Sequence, residues 1–156
     1  VTVQDELGHV NDYVTIQRIR FDNRFHLDLD ISSEYLDNKV LKLILQPLVE
    51  NALYHGLNYC TTGDTITIRA YTENNCLMID VHDNGQGMDI ETLTKLQSSL
   101  MEEASFTELG HRNKQSIGLK NIHSRIELYY GKGYGLTVTS IHGEWTNIQI
   151  RLPILK

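Results

Sequence analysis

The chain of 156 residues is 40% hydrophobic and 22% charged, which suits one folded domain with a real core and excludes disordered, fibrous or two-domain organisation. Fourteen Lys and Arg against twenty Asp and Glu leave a net charge of -6. The basic residues are scattered rather than clustered, which argues against nucleic acid as a partner.

From Leu7 through Val10, Tyr13 and Ile16 to Ile19, apolar residues recur every three or four positions and predict an amphipathic helix. It has no evident N-cap signal, which reads as a helix continuing from upstream in a longer protein. Phe25, Leu27, Leu29 and Ile31 then alternate with His26, Asp28 and Asp30, the period of a strand with one face buried. The alternation returns at Ile66–Ala70, Leu77–Val81 and Ile148–Leu152, and Gly135–His142 reads as a further strand. Helices are expected over Lys39–Gly56, with Pro47 starting or kinking it, over Asp89–Met101 and over Gly118–Tyr130. One-sided strands need helices on one face only, which predicts an α+β fold: a two-layer α/β sandwich with a mixed sheet, not a doubly wound parallel one.

Glu102–Ser116 is polar and without period, long for a connection in a compact domain, and reads as a lid. The apolar run Val40–Val49 is interrupted by Lys42, Gln46 and Pro47, and no charged-then-apolar leader opens the chain, so no membrane span or secretion signal is expected. Cys60 and Cys76 form no CxxC pair and match no metal-ligand spacing, which argues for a reducing compartment. One boundary is expected near Arg20, dividing a helical segment, 1–20, from a domain, 21–156.

Three segments carry chemistry. Continuing the alternation of Leu77, Ile79 and Val81 puts Asp83 on the buried face of its strand, where a carboxylate needs a donor. Gly85 and Gly87 follow it and permit close approach of a ligand. The carboxylate can therefore accept a bond from an exocyclic amine such as that of adenine, or it can cap its own turn, as Asp commonly does. In Gln46-Pro47-Leu48-Val49-Glu50-Asn51-Ala52-Leu53-Tyr54-His55-Gly56, helical spacing puts Asn51 and His55 on one face with Glu50 beside them. The Asn51 amide oxygen suits Mg²⁺, His55 a phosphate, and Glu50 the orientation of a water or the role of a base; a solvated polar face is the plainer alternative. Ser116-Ile117-Gly118-Leu119 at an expected helix start offers free N–H groups to an anion, or is an ordinary helix start.

In the order ENAxxHG, DNGxGM, IGLxN, these segments resemble the ATPase domain of the gyrase, chaperone, histidine kinase and mismatch-repair superfamily, the Bergerat fold. LQPLVENALYHG, NDYVTIQRIRF and GLTVTSIHGEWTNIQIRLP are similar to the LytS/YesM-type sensor histidine kinases. The resemblance implies that Asp83 receives the adenine amine, that Gly85 and Gly87 shape the pocket, and that Asn51 binds Mg²⁺. It puts Glu50 and His55 in the same box, and Ser116, Gly118 and Leu119 at the phosphate-binding turn. Ser116 stands where a glycine is often found, and Phe106 is only a candidate for the usual Phe-containing box; Arg112 and Lys114 are candidate lid contacts.

The implied activity is transfer of the ATP γ-phosphoryl group to a histidine upstream of these residues and then to a response regulator. Residues 1–20 would end the dimerisation helices of a homodimer, and the rest would be a cytoplasmic domain of a membrane sensor, without direct membrane contact. No PHFxxN-like acceptor motif occurs, and His9, flanked by Leu7-Gly8 and Val10, reads as a surface histidine. Three alternatives stand beside this: an anti-sigma-factor serine kinase, a gyrase- or chaperone-like ATPase in which Glu50 activates water, and a nucleotide-binding module without catalysis.

Overall fold

The computed structural model describes residues 1–20, 24–56, 64–101 and 114–156. Residues 102–113 of the segment read as a lid, with Phe106 and Arg112, lie outside the described residues, as does Cys60.

Helix α1, Val3–Arg20, opens the chain. Contrary to the expectation of no N-cap signal, Thr2 and Asp5 form a reciprocal cap: Thr2 N–H donates to Asp5 Oδ2 at 2.8 Å and Asp5 N–H to Thr2 Oγ1 at 3.2 Å. The Thr-x-x-Asp pattern is a capping box with the shorter acid in place of Glu. Val3, Leu7, Val10 and Val14 are buried in the main core, whereas Ile16 and Ile19, although on the predicted apolar stripe, are exposed.

Among the described residues strand β1, Phe25–Asp30, lies at the sheet edge and pairs only with β2, Asp64–Glu73, to which it is parallel. Its inward alternation fades along its length: Phe25 is buried, Leu27 half-buried and Leu29 exposed. Strand β3, Cys76–Asp83, follows β2 through a tight turn in which Asn74 and Asn75 both have positive φ, as a two-residue hairpin of the I′ kind requires. After α3, Ile90–Met101, and α4, Lys114–Tyr130, a second hairpin of β4, Gly135–Ile141, and β5, Trp145–Pro153, completes the sheet. The order is β1-β2-β3-β5-β4, antiparallel except for β1 with β2. The sheet is thus mixed, as expected. Ile66, Ile68, Leu77, Ile79, Val81, Ile148 and Ile150 turn to the helices and are essentially inaccessible. Opposite them lie polar side chains such as Tyr71, which accepts a bond from Gln149 Nε2 at 2.7 Å.

Two helices differ from expectation. Lys39–Gly56 is helical only from Gln46: α2 covers Gln46–Asn51 and continues as one π-helical turn, Ala52–Gly56. Leu43, at φ 59, cannot continue or begin a right-handed helix, and Pro47 occupies the first turn, where its missing N–H costs nothing. Helix α4 starts at Lys114 rather than at Gly118. Gly118 is therefore its fifth residue, inside the helix rather than at its first position. Among the described residues no helix is long and apolar enough to cross a membrane.

Candidate functional site

Asp83 ends the central strand β3 on its inward face and is 3% exposed. Its neighbours in the ladders are Ile66 on one side and Thr146 on the other. The carboxylate does cap its own turn, Oδ1 accepting the N–H of Gly85 at 3.0 Å, and the side chain also forms part of a cavity wall. Burial pushes its carboxyl up to about 6, with the Gly85 bond opposing and nearby Asp64 reinforcing the rise.

The loop after Asp83 is tied down on three sides. Asn84 Oδ1 accepts Thr65 N–H at 2.7 Å, Gln86 Nε2 donates to the His55 carbonyl at 2.7 Å, and Gln86 O accepts Gly143 N–H at 2.6 Å. Gly87 has φ +66, and a Cβ there would stand 2.1 Å from the Ile141 carbonyl oxygen. No side chain fits, so the second glycine of DNGQGM is demanded by the backbone. Met88 N–H donates to Ser140 Oγ at 2.8 Å, and that hydroxyl lies 2.9 Å from Thr146 Oγ1.

Two cavities meet at α2. One, of about 270 Å³, has Asp83, Gly87, Met88 and Thr146 among its walls; the other, of about 210 Å³, has Glu50, Tyr54, Gly118 and Leu119. Asn51 and His55 line both. The spacing argument that put these two on one face therefore holds, although the chain passes from α- to π-helical winding between them. Glu50 accepts a bond from Gln46 Nε2 at 3.0 Å, one turn earlier, and burial holds the His55 imidazole below its ordinary range. Gly85 serves through its N–H to Asp83 and does not line either cavity. Ser116 lies on α4, two residues before Gly118. A larger cavity, about 620 Å³, beside Lys120, His123, Glu127 and Tyr134, has none of the candidate site residues among its walls.

Thr146 escaped the sequence reading. Buried to 5% exposure, it is the inward residue of β5 two positions before Ile148. A polar residue continuing the apolar alternation of Ile148, Ile150 and Leu152 is the same signal that singled out Asp83. His142 and Thr92, at the rim of the Asp83 cavity, carried no comparable signal.

The arrangement joins a buried carboxylate and hydroxyl, at the floor of one cavity, to an amide, an imidazole and a second carboxylate around the other. It can receive an elongated ligand that is flat and donor-bearing at one end and anionic at the other. Asp83 offers an acceptor and Thr146 a hydroxyl at the first end. Among the described residues no cluster of three or more His, Cys, Asp or Glu could hold a metal by itself; Asn51 alone suits an ion that keeps water and phosphate oxygens in its shell, as Mg²⁺ does.

The family described as histidine kinase-, DNA gyrase B-, and HSP90-like ATPase matches residues 36–156. The chain is 39% identical over 153 residues to sensor histidine kinase YesM of Bacillus subtilis, covering 98% of this chain and 24% of that protein. It is 32% identical over 154 residues to sensor protein kinase HptS of Staphylococcus aureus (strain USA300), covering 99% of this chain and 28% of that protein. The chain thus spans about a quarter of the length of these curated relatives.

Proposed function

Because the chain belongs to the family of histidine kinase-, DNA gyrase B- and HSP90-like ATPases, we propose that it is the ATP-binding catalytic domain of a two-component sensor histidine kinase. The observation that carries this reading is Asp83: a buried carboxylate at the floor of a cavity whose walls continue, through Asn51 and His55, into a second cavity bordered by Gly118 and Leu119.

In this reading Asp83 accepts the exocyclic amine of adenine, and the Gly85 N–H holds the carboxylate in place. Gly87 keeps the backbone low enough for the base to enter. Thr146 offers its hydroxyl beside Asp83. Asn51 supplies an oxygen for Mg²⁺, which when bound neutralises charge on the phosphates. His55, held neutral by burial, donates to or accepts from phosphate or its water. Glu50 orients the reacting groups, and Ser116, Gly118 and Leu119 border the phosphates from α4. Phosphoryl transfer asks mainly for such positioning and charge neutralisation.

The receiving group is a histidine on upstream helices, of which residues 1–20 are the end, with 21–156 as the catalytic domain. The intact protein is a homodimer anchored at the membrane, with this domain in the cytoplasm, and passes the phosphoryl group to a response regulator. Kinship with relatives named sensor kinases supports this over an anti-sigma-factor kinase or a hydrolase.

Calorimetric titration with ADP and ATP, with and without Mg²⁺, tests the reading. A charge-assisted hydrogen bond contributes about 1.5 to 3 kcal/mol, so Asp83→Asn is expected to bind roughly ten- to a hundredfold more weakly. No saturable binding by the folded native chain, or equal affinity in the variant, would overturn it. Steady ATP turnover abolished by Glu50→Ala would favour the hydrolase instead.

A further inference from the structure

The site helix α2 is six residues long, too short to hold its own position, and no side chain of its own caps its start. It begins immediately after a turn, Lys42–Leu45, that is held from two sides. Glu6 of α1, 2% exposed, accepts three successive N–H groups: Leu43 at 3.1 Å and Leu45 at 3.2 Å to its two oxygens, and Ile44 at 2.7 Å. Arg125 of α4 donates to the carbonyls of Lys42 and Leu43, the latter at 3.1 Å. A carboxylate thus takes the amides of the turn and a guanidinium takes its carbonyls. Between them Leu43 sits at φ 59, a conformation that costs a branched, non-glycine residue and persists only where the surroundings over-determine it.

The far end of α2 is Asn51, about 9 Å along the axis at 1.5 Å per residue. A shift in the turn therefore translates or rotates Asn51 and the His55 turn beyond it. Arg125 belongs to the same helix as Gly118 and Leu119, so the turn also fixes the spacing of the two walls of the smaller cavity, α2 on one side and α4 on the other.

We propose that Glu6 and Arg125 are positioning residues for nucleotide binding: together they lock the Leu43 turn and so hold Asn51 and His55 at the distance from α4 that a nucleotide's phosphates require. Neither touches the ligand. The proposal rests on the reading of these cavities as a nucleotide site. It makes the opening helix part of that site's architecture, because the carboxylate that starts α2 is carried on α1.

The test is calorimetric titration of the 156-residue chain with ATP and Mg²⁺, with Asp83→Asn, Glu6→Gln, Arg125→Ala and Val10→Ala beside the native protein. All titrations are run well below each variant's melting temperature. Glu6→Gln turns one acceptor into a donor against the turn's own N–H groups. Arg125→Ala changes an exposed side chain and keeps the fold testable should Glu6→Gln unfold it. Val10→Ala damages the core of the same helix without touching the turn. Glu6→Gln or Arg125→Ala is expected to weaken ATP binding roughly fivefold or more, with faster amide exchange at Ile44 and Leu45, while Val10→Ala stays within about twofold of native at an equal or larger loss of melting temperature. Native affinity in both turn variants overturns the proposal, as does a loss in Val10→Ala matching theirs, which would reduce Glu6 to a contributor to overall stability. If Asp83→Asn weakens binding while the turn variants do not, the nucleotide reading survives and the positioning role fails alone. If Asp83→Asn binds as the native chain does, the nucleotide reading itself has failed.

Discussion

Replacing Asp83 by Asn should stabilise the nucleotide-free protein at neutral pH while disabling it. The carboxyl is raised by burial from its ordinary 3.8 to about 6. Between these values the folded chain holds a proton that the unfolded chain has released, so stability falls as pH rises through the window and the full penalty stands above about pH 6. Two pKa units correspond to about 3 kcal/mol. Because one side of the carboxylate faces a cavity that admits water, and Asn brings an amide group with its own desolvation cost, the expected gain is about 1 to 2 kcal/mol. Asn retains a carbonyl oxygen for the Gly85 N–H. At about 2 to 4 °C per kcal/mol for a chain of this size, the melting temperature should rise by several degrees at pH 8 and by nothing measurable at pH 3.5. Calorimetric or fluorescence melts at the two pH values suffice. A variant that is no more stable than native at pH 8, with the two equal at pH 3.5, would refute the account of Asp83 as a carboxylate kept ionised at a cost for the sake of a ligand.

Other outcomes follow from the same geometry. ATP affinity of the native chain should decline about tenfold per pH unit below about pH 6, as Asp83 takes up its proton and loses an acceptor; isothermal titration at pH 5, 6 and 7.5 reads this, and a flat profile contradicts it. Gly87→Ala must leave the left-handed region and clear the Ile141 carbonyl, at a cost of about 2 kcal/mol or more, visible as an earlier denaturation midpoint. Thr146→Val keeps the shape but removes the hydroxyl beside Ser140 Oγ; a stability loss of about 1 kcal/mol and several-fold weaker nucleotide binding are expected, and native affinity would remove Thr146 from the site. His123 Nδ1 accepts Leu136 N–H at 2.9 Å, and burial lowers its pKa below 6.5. Its contribution is therefore present above about pH 6.5 and lost on acidification, so His123→Asn, which keeps an acceptor in that place, should flatten the decline in melting temperature between pH 7 and 5.

The strands were legible because a two-residue period survives wherever one face of a sheet is buried, and that same period exposed Asp83 as a polar residue in an apolar series. It was illegible where burial was incomplete: β1 is an edge strand, and Leu29 keeps the pattern without the environment. The apolar residues of Val40–Leu45 look helical in composition, yet their backbone is set by two distant side chains, Glu6 and Arg125, and no local propensity announces a leucine with positive φ. Helix α4 begins four residues before Gly118 because Gly is a poor marker of a helix start and nothing in Lys114–Ile117 forbids helical winding. The cap at Thr2 was readable in principle, but the pattern used Asp where Glu or Gln is the familiar partner.

The ladder that brings Thr146 alongside Asp83 joins strands separated in the chain by all of α3, α4 and β4. Closing so long a loop costs entropy before any contact repays it. The β2–β3 hairpin can form early around its Asn-Asn turn, but the inner face at Asp83 stays wet until the last strand arrives. In refolding, formation of the hairpin and acquisition of nucleotide binding should therefore separate in time, the second following only when the C-terminal strand has docked.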